Sequence, residues 1–178
     1  MAVLLIDKIK NYIGLSTDTK PTGALEGSEF WEYDTNITYK TYDGTNWEAY
    51  KVGSIVIPTT IDLNQAAGDY DLYEATGGTV YVEHFTITLP NVDCSDDALL
   101  TSISIQSDMA TPDVLLSAVD GAVANLTALA SFAYSGSPFA LTVGKKIQLT
   151  IAGGAADAAT VCTVSCRYQA VTPAAYLA

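Results

Sequence analysis

The chain has 178 residues, with 20 Asp or Glu against 8 Lys or Arg and one histidine, a formal net charge of −12. Nucleic acid and acidic membrane surfaces are excluded as partners, because neutralising phosphates takes a basic surface that eight dispersed cations cannot supply. With a charged fraction of only 16% and an apolar fraction of 49%, the chain has the composition of a folded protein with a core of its own.

In chain order, the opening MAVLLIDKIKNYIGL has apolar residues at 3, 4, 5, 6, 9, 12 and 13, a spacing that suits a short helix or an extended arm equally. Asp7 interrupts its apolar run and no small-residue cleavage site follows, so it does not read as a secretory signal. Residues 1–15 are taken as an N-terminal arm, with Val3, Leu4, Leu5, Ile6 and Ile9 as its contact residues. The stretch LSTDTKPTGALEG is loop chemistry, punctuated by Pro21, Gly23 and Gly27. Three aromatic runs follow, SEFWEY, ITYKTY and NWEAY, separated by Asp34-Thr35-Asn36 and by Asp43-Gly44-Thr45. Asp-Gly between such runs is a hairpin signal, and the spacing predicts a three-stranded meander. So small a sheet is marginal alone, and its aromatic face is expected to pack on a neighbouring copy or a larger surface. Phe30, Trp31, Tyr33, Tyr39, Tyr42 and Trp47 are the candidate contact residues. Alternation sends Phe30 and Trp31 to opposite faces.

The segment GSIVIPTT (53–60) reads as a connector, giving an anchoring module over 16–57 and a second domain over 58–178. From residue 52 onward there are 12 acids and 3 cations. Strands are predicted over 60–64, 69–75, 79–89, 101–107, 113–117, 126–134, 145–152 and 160–171. Eight such runs fit an all-β antiparallel β-sandwich of jelly-roll type. Alternation puts Phe85, Ile87 and Leu89 on one face against His84, Thr86 and Thr88, and in the last strand puts Cys162, Val164, Cys166, Tyr168 and Ala170 together. The stretch 118–129 suits either a hairpin around Asp120-Gly121 or a short helical insertion.

Chemistry is sparse. His84 lies beside Glu83, and alternation sends the two to opposite faces, so they form no local acid–base pair. No Gly-x-Ser-x-Gly elbow is present. Cys162 and Cys166, four apart on one strand, are separated by roughly 13 Å, too far for a disulfide, and with Cys94 they lack zinc spacing. Asp93, Asp96 and Asp97 form the densest acidic cluster, read as turn formers rather than a calcium loop. The Gly-Gly pairs lie between strands, so they are turns and not phosphate cradles. No catalytic residue, metal or cofactor is expected.

The phrase GLSTDTKPTG followed by EGSEFWEYDTNITYKTYDGTNWEAY resembles a small module that recurs in virion proteins of tailed bacteriophages. Its features are Ser16 to Pro21, Gly27-Ser28 with Glu32 to Thr35, and Tyr42 to Trp47, about a fifth of the chain; it departs at Asn36-Ile37, where the module commonly has a glycine-containing turn. The acidic, Ala- and Thr-rich second domain is similar in texture to sandwich domains of phage decoration, cement and head-fibre proteins. The resemblance implies a non-enzymatic structural protein made in the host cytoplasm and bound to the capsid exterior, with the phage major capsid protein as partner and a homotrimer as its form. It admits a tail-tip or fibre module that binds host surface glycans through Trp31, Trp47 and the nearby tyrosines of the meander as the alternative.

Overall fold

The computed structural model describes residues 10–172 and 175–178. Among the described residues the chain is all β, with fourteen strands and one turn of 3-10 helix, and it divides into two compact units, Met1–Ile55 and Val56–Ala178. No described helix is long and apolar enough to cross a membrane.

Unit 1 is a four-stranded sheet in the order β1 (Asn11–Gly14), β2 (Glu29–Glu32), β3 (Ile37–Thr41) and β4 (Trp47–Val52). Strands β2 to β4 form the expected antiparallel meander. The described end of the arm takes the extended one of its two expected forms: β1 is a strand, parallel to β2, with Ile13 opposite Trp31. Parallel neighbours need a crossover of about a dozen residues or more, and the loop rich in Pro, Gly, Ser and Thr between Gly14 and Glu29 supplies it. Both meander turns use the left-handed region, at Asn36 with φ 53° and Gly44 with φ 76°. Asparagine tolerates that region better than other residues with a Cβ, so Asn36 does the work of the turn glycine whose absence marks the departure from the phage-module phrase. At Gly44 no side chain is admissible, because a Cβ would lie 2.2 Å from the Ala24 carbonyl oxygen of the crossover loop.

Unit 2 is a β-sandwich of two five-stranded sheets. One has the order β10 (Ser131–Ala133), β7 (Val80–Thr88), β13 (Val161–Ala170), β5 (Ile55–Asp62), with β11 (Phe139–Leu141) also on β7. The other has the order β14 (Tyr176–Leu177), β6 (Gly68–Thr76), β12 (Lys146–Ala152), β8 (Ser102–Ser107), β9 (Val114–Leu116). The neighbours are nested: β8 with β9, β7 with β10 and β11, β6 with β12, β5 beside β13. A long ribbon of nested pairs wound over two sheets is a jelly roll. The layers meet at Tyr73, whose ring stands edge-on to Phe85 at 6.5 Å. Its hydroxyl donates to the Ile57 carbonyl at 2.9 Å and lies 3.3 Å from that of Val164, both on the opposite sheet.

Three local expectations are corrected. The segment 53–60, expected to be a connector, holds the division between the two units after Ile55, but from Ile55 onward it is strand β5 rather than a linker. Pro58 fits there because β5 is an edge strand and needs no amide at an outward position. Within 126–134 only Ser131–Ala133 is strand, and Leu129 takes φ 61°; the 3-10 turn Val123–Asn125 is the short helical insertion that 118–129 also suited. The apolar character of that run reflects Leu126, buried from a loop rather than from a strand. Finally, β7 loses strict alternation at Glu83-His84, where the pairing with β13 slips between Arg167 and Tyr168. The bulge leaves both side chains half-buried between inward Val82 and Phe85.

Candidate functional site

Alternation along β2 turns Phe30 and Glu32 inward and Trp31 outward. The inner face is covered by the module's own crossover loop, so its aromatic residues need no second copy, contrary to expectation. Glu32 is only 2% exposed and forms an ion pair with Lys20 of that loop, while the Thr35 hydroxyl donates to its second oxygen at 2.7 Å. The Lys20 ammonium lies 3.9 Å from the Tyr39 ring centroid and 5.2 Å from that of Phe30. Burial, then the neighbouring Glu32 charge, pushes the Tyr39 hydroxyl up to about 12. One residue further along the loop, the Pro21 carbonyl accepts the Trp47 indole N–H at 2.9 Å. The Trp47 ring meets the edges of Tyr12 at 6.0 Å and Phe30 at 6.1 Å. Ser16 binds Asp34 through both amide and hydroxyl. The separate pieces of the phrase, Ser16 to Pro21, Glu32 to Thr35 and Tyr42 to Trp47, are therefore one interlocked scaffold.

The outer face is different. Trp31 is 42% exposed, Tyr33 53% and Tyr42 60%, and β1 adds exposed Ile13 and Leu15 beside them. The Trp31 indole donates to Asn36 at 3.1 Å, which ties the ring to the first turn. Among the sequence candidates, Phe30 and Tyr39 are buried and Trp47 is half-buried, whereas Trp31, Tyr33 and Tyr42 are open to solvent. Val3, Leu4, Leu5, Ile6 and Ile9 lie outside the described residues. Sequence reasoning missed Ile13 and Leu15, because their outward position depends on β1 being a strand in register with Trp31.

The second turn is held by Asp43. Its carboxylate accepts the Asn46 and Thr45 amides at 2.7 and 2.8 Å and the Asn46 side-chain amide at 2.6 Å. These bonds, the Asn46 backbone amide foremost, hold it well down at about 2. A carboxyl depressed on folding adds stability above its ordinary value of 3.8, and that stability is lost as pH falls towards 2. Asp43→Asn should therefore lower the melting temperature of unit 1 at neutral pH, with the gap from wild type closing over that acid window. Melts followed by indole fluorescence check this, since Trp31 and Trp47 are the only tryptophans.

Elsewhere most of the side chains that could do chemistry have structural partners or are buried. Glu83 pairs with Arg167 at 3.1 Å, and His84 stands opposite Arg167 in the ladder. Cys94, Cys162 and Cys166 are buried free thiols, and burial pushes Cys162 and Cys166 up to about 12. Asp97 accepts the Leu99, Leu100 and Asp157 amides, joining two loops, and Asp93 accepts the Ser95 amide. Among the described residues no group of three or more His, Cys, Asp and Glu is placed to hold a metal. A cleft of about 940 Å³ opens between β9 and β10, where Asp120 is engaged by Ser117 and Asn125 by the Val119 and Asp120 carbonyls.

No protein-family model and no curated protein matches the chain. Among solved structures it is similar to the capsid asymmetric unit of cyanophage Pam1, with a TM-score of 0.49 and 16% identity, over 68% of this chain and 88% of that one. It is also similar to the acidic stable capsid of Helicobacter pylori bacteriophage KHP30, with a TM-score of 0.45 and 12% identity, over 70% of this chain and 92% of that one.

Proposed function

We propose that the chain is a non-enzymatic structural protein of a tailed-phage virion, one that decorates the assembled head and docks on the major capsid protein through unit 1. The observation behind this reading is that the phrase resembling the virion module forms the module's scaffold: Lys20 on Glu32, Pro21 on Trp47, Ser16 on Asp34. A phrase whose parts hold one another in place marks a folded unit, not a chance run of aromatic residues.

Docking uses the face this scaffold leaves open. Ile13, Leu15, Trp31 and Tyr33 place exposed apolar side chains on adjacent strand ends, and the proposal assigns the arm residues Val3, Leu4, Leu5, Ile6 and Ile9 to the same partner. Apolar area counts for about 25 cal/mol per Å² before association costs. The trimer and the position on the capsid exterior follow from the resemblance and belong to the same proposal. The glycan alternative loses support at Trp47, whose ring is packed on Tyr12 and Phe30 with its indole N–H engaged. The test is binding to heads purified from a phage lacking this protein. Trp31→Ser with Tyr33→Ser should weaken binding by roughly thirtyfold, the loss of one interface hot spot of about 2 kcal/mol, with the melt of unit 1 nearly unchanged. Full occupancy by the double variant would overturn the docking face.

A further inference from the structure

The acidity of unit 2 is unevenly placed. Residues 56–178 carry twelve acids and three cations, yet only Glu83 among those acids stands on the outer face of the β10-β7-β13-β5 sheet, and Arg167 neutralises it at 3.1 Å. Asp62, the last residue of β5, turns its carboxylate onto the Asn64 and Thr160 amides at the sheet's corner. Beyond that pair and the neighbouring His84, Gln169 and Tyr81, the face is hydroxyl and small apolar and carries no further acid. In register across three strands lie Ser131, Thr88 and Thr163, and beside them Ala133, Thr86 and Ser165. The hydroxyls are already paired sideways, Thr88 with Ser131 at 3.0 Å and Thr86 with Ser165 at 2.6 Å. Drying a hydroxyl that keeps a partner costs far less than drying one left unpaired. Exposed Val56, Val161 and Tyr81 add apolar area to the same face.

We propose that this face packs against another copy of the chain. Charge selects both the face and the partner. A face without net charge offers nothing to a strongly charged partner, and copies each carrying −12 repel wherever carboxylates meet. The opposite sheet presents Asp71 and Glu74 beside Lys146, and Asp69 beside Thr150, so two copies meeting there would set those carboxylates against one another. Contact through the neutral face puts each acidic face a sheet spacing of about 10 Å behind the contact plane, beyond the screening length of about 8 Å at physiological salt. The inference deepens the oligomeric part of the proposed function and is independent of capsid docking by unit 1, which can fail while self-association holds.

Sedimentation of the free full-length chain at micromolar concentration tests it. The wild type is expected to sediment as a multiple of the chain mass, Thr88→Asp with Thr163→Asp as the monomer, and Gln106→Asp, on the outer face of the other sheet, like the wild type. A thiol probe removes any doubt that the double variant is simply misfolded. With nine-tenths of molecules associated, Thr163→Cys reacts about tenfold more slowly than Gln106→Cys by mass action. A monomeric wild type, a double variant of wild-type mass, or equal reactivity at the two cysteines overturns the proposal.

Discussion

Replacing Lys20 by methionine should unfold unit 1 and leave unit 2 folded. Glu32 is buried, and besides Lys20 its carboxylate meets only neutral groups, among them the Thr35 and Tyr39 hydroxyls. Removing one member of a buried pair strands the other's charge and costs about 3–5 kcal/mol. The ammonium's contacts with the Tyr39 and Phe30 rings are lost in the same step. A sheet unit of about this size has a total stability of only about 3–5 kcal/mol from its core, so the loss is comparable to all of it. Indole fluorescence isolates the event, because both tryptophans belong to unit 1. The Lys20→Met chain should show the red-shifted emission of exposed indoles at room temperature while the far-ultraviolet β signal of unit 2 persists. Adding Glu32→Gln should restore most of the native emission, since a neutral amide can still accept from Thr35 and leaves no stranded charge. A Lys20→Met chain with native emission and an unchanged melt would show that the pair is dispensable.

The jelly roll was legible where side chains follow the pleat of a strand with two neighbours. Ile103 and Ile105, or Cys162, Val164 and Cys166, alternate cleanly because each lies in an interior strand whose inner face meets the other sheet. Legibility fell at the edges. Pro58 made β5 look like a connector, although an outward proline on an edge strand removes no ladder bond. The strands β11 and β14, of three and two residues, are too short for any period to show. Leu126 looked like a strand residue because burial and apolarity are shared by strands and by loops packed against a sandwich. The bulge at Glu83 and His84 left no trace in the residue types.

In unit 1, the runs and turns of the meander were readable, and so was the opposition of Phe30 and Trp31. What was not readable was which face is covered. A crossover loop cannot be assigned to one side of a sheet from its own turn residues, and that assignment sorts the aromatic residues into scaffold and surface. Glu32 offered a signal: it lies two residues from Phe30 and shares its face, so an inward carboxylate needed a cation. Lys20, within a turn-rich stretch, was the cation, but a distance of twelve residues across a loop hides the pairing from any local pattern.

The larger stability loss in unit 2 should come from Phe85→Ala rather than Tyr73→Phe, and the comparison decides what joins the two sheets. Phe85 is fully buried on β7, and truncating it deletes a ring and leaves a cavity beside Tyr73, a cost of about 3–5 kcal/mol. In a unit of this size each kcal/mol lowers the melting temperature by about 3–5 °C, so a drop of roughly 10–20 °C is expected. Tyr73→Phe keeps the edge-on ring contact and removes only the hydroxyl that reaches the Ile57 and Val164 carbonyls. Losing that bond and leaving buried carbonyls less satisfied costs about 1–2 kcal/mol. Both effects belong to the transition seen by far-ultraviolet circular dichroism, and indole emission reporting unit 1 should be unmoved by either. If Tyr73→Phe proved the more damaging, the sheets would be held chiefly by the hydroxyl bridge. Packing around Phe85 would then be secondary, against the usual order in which a ring outweighs a neutral hydrogen bond.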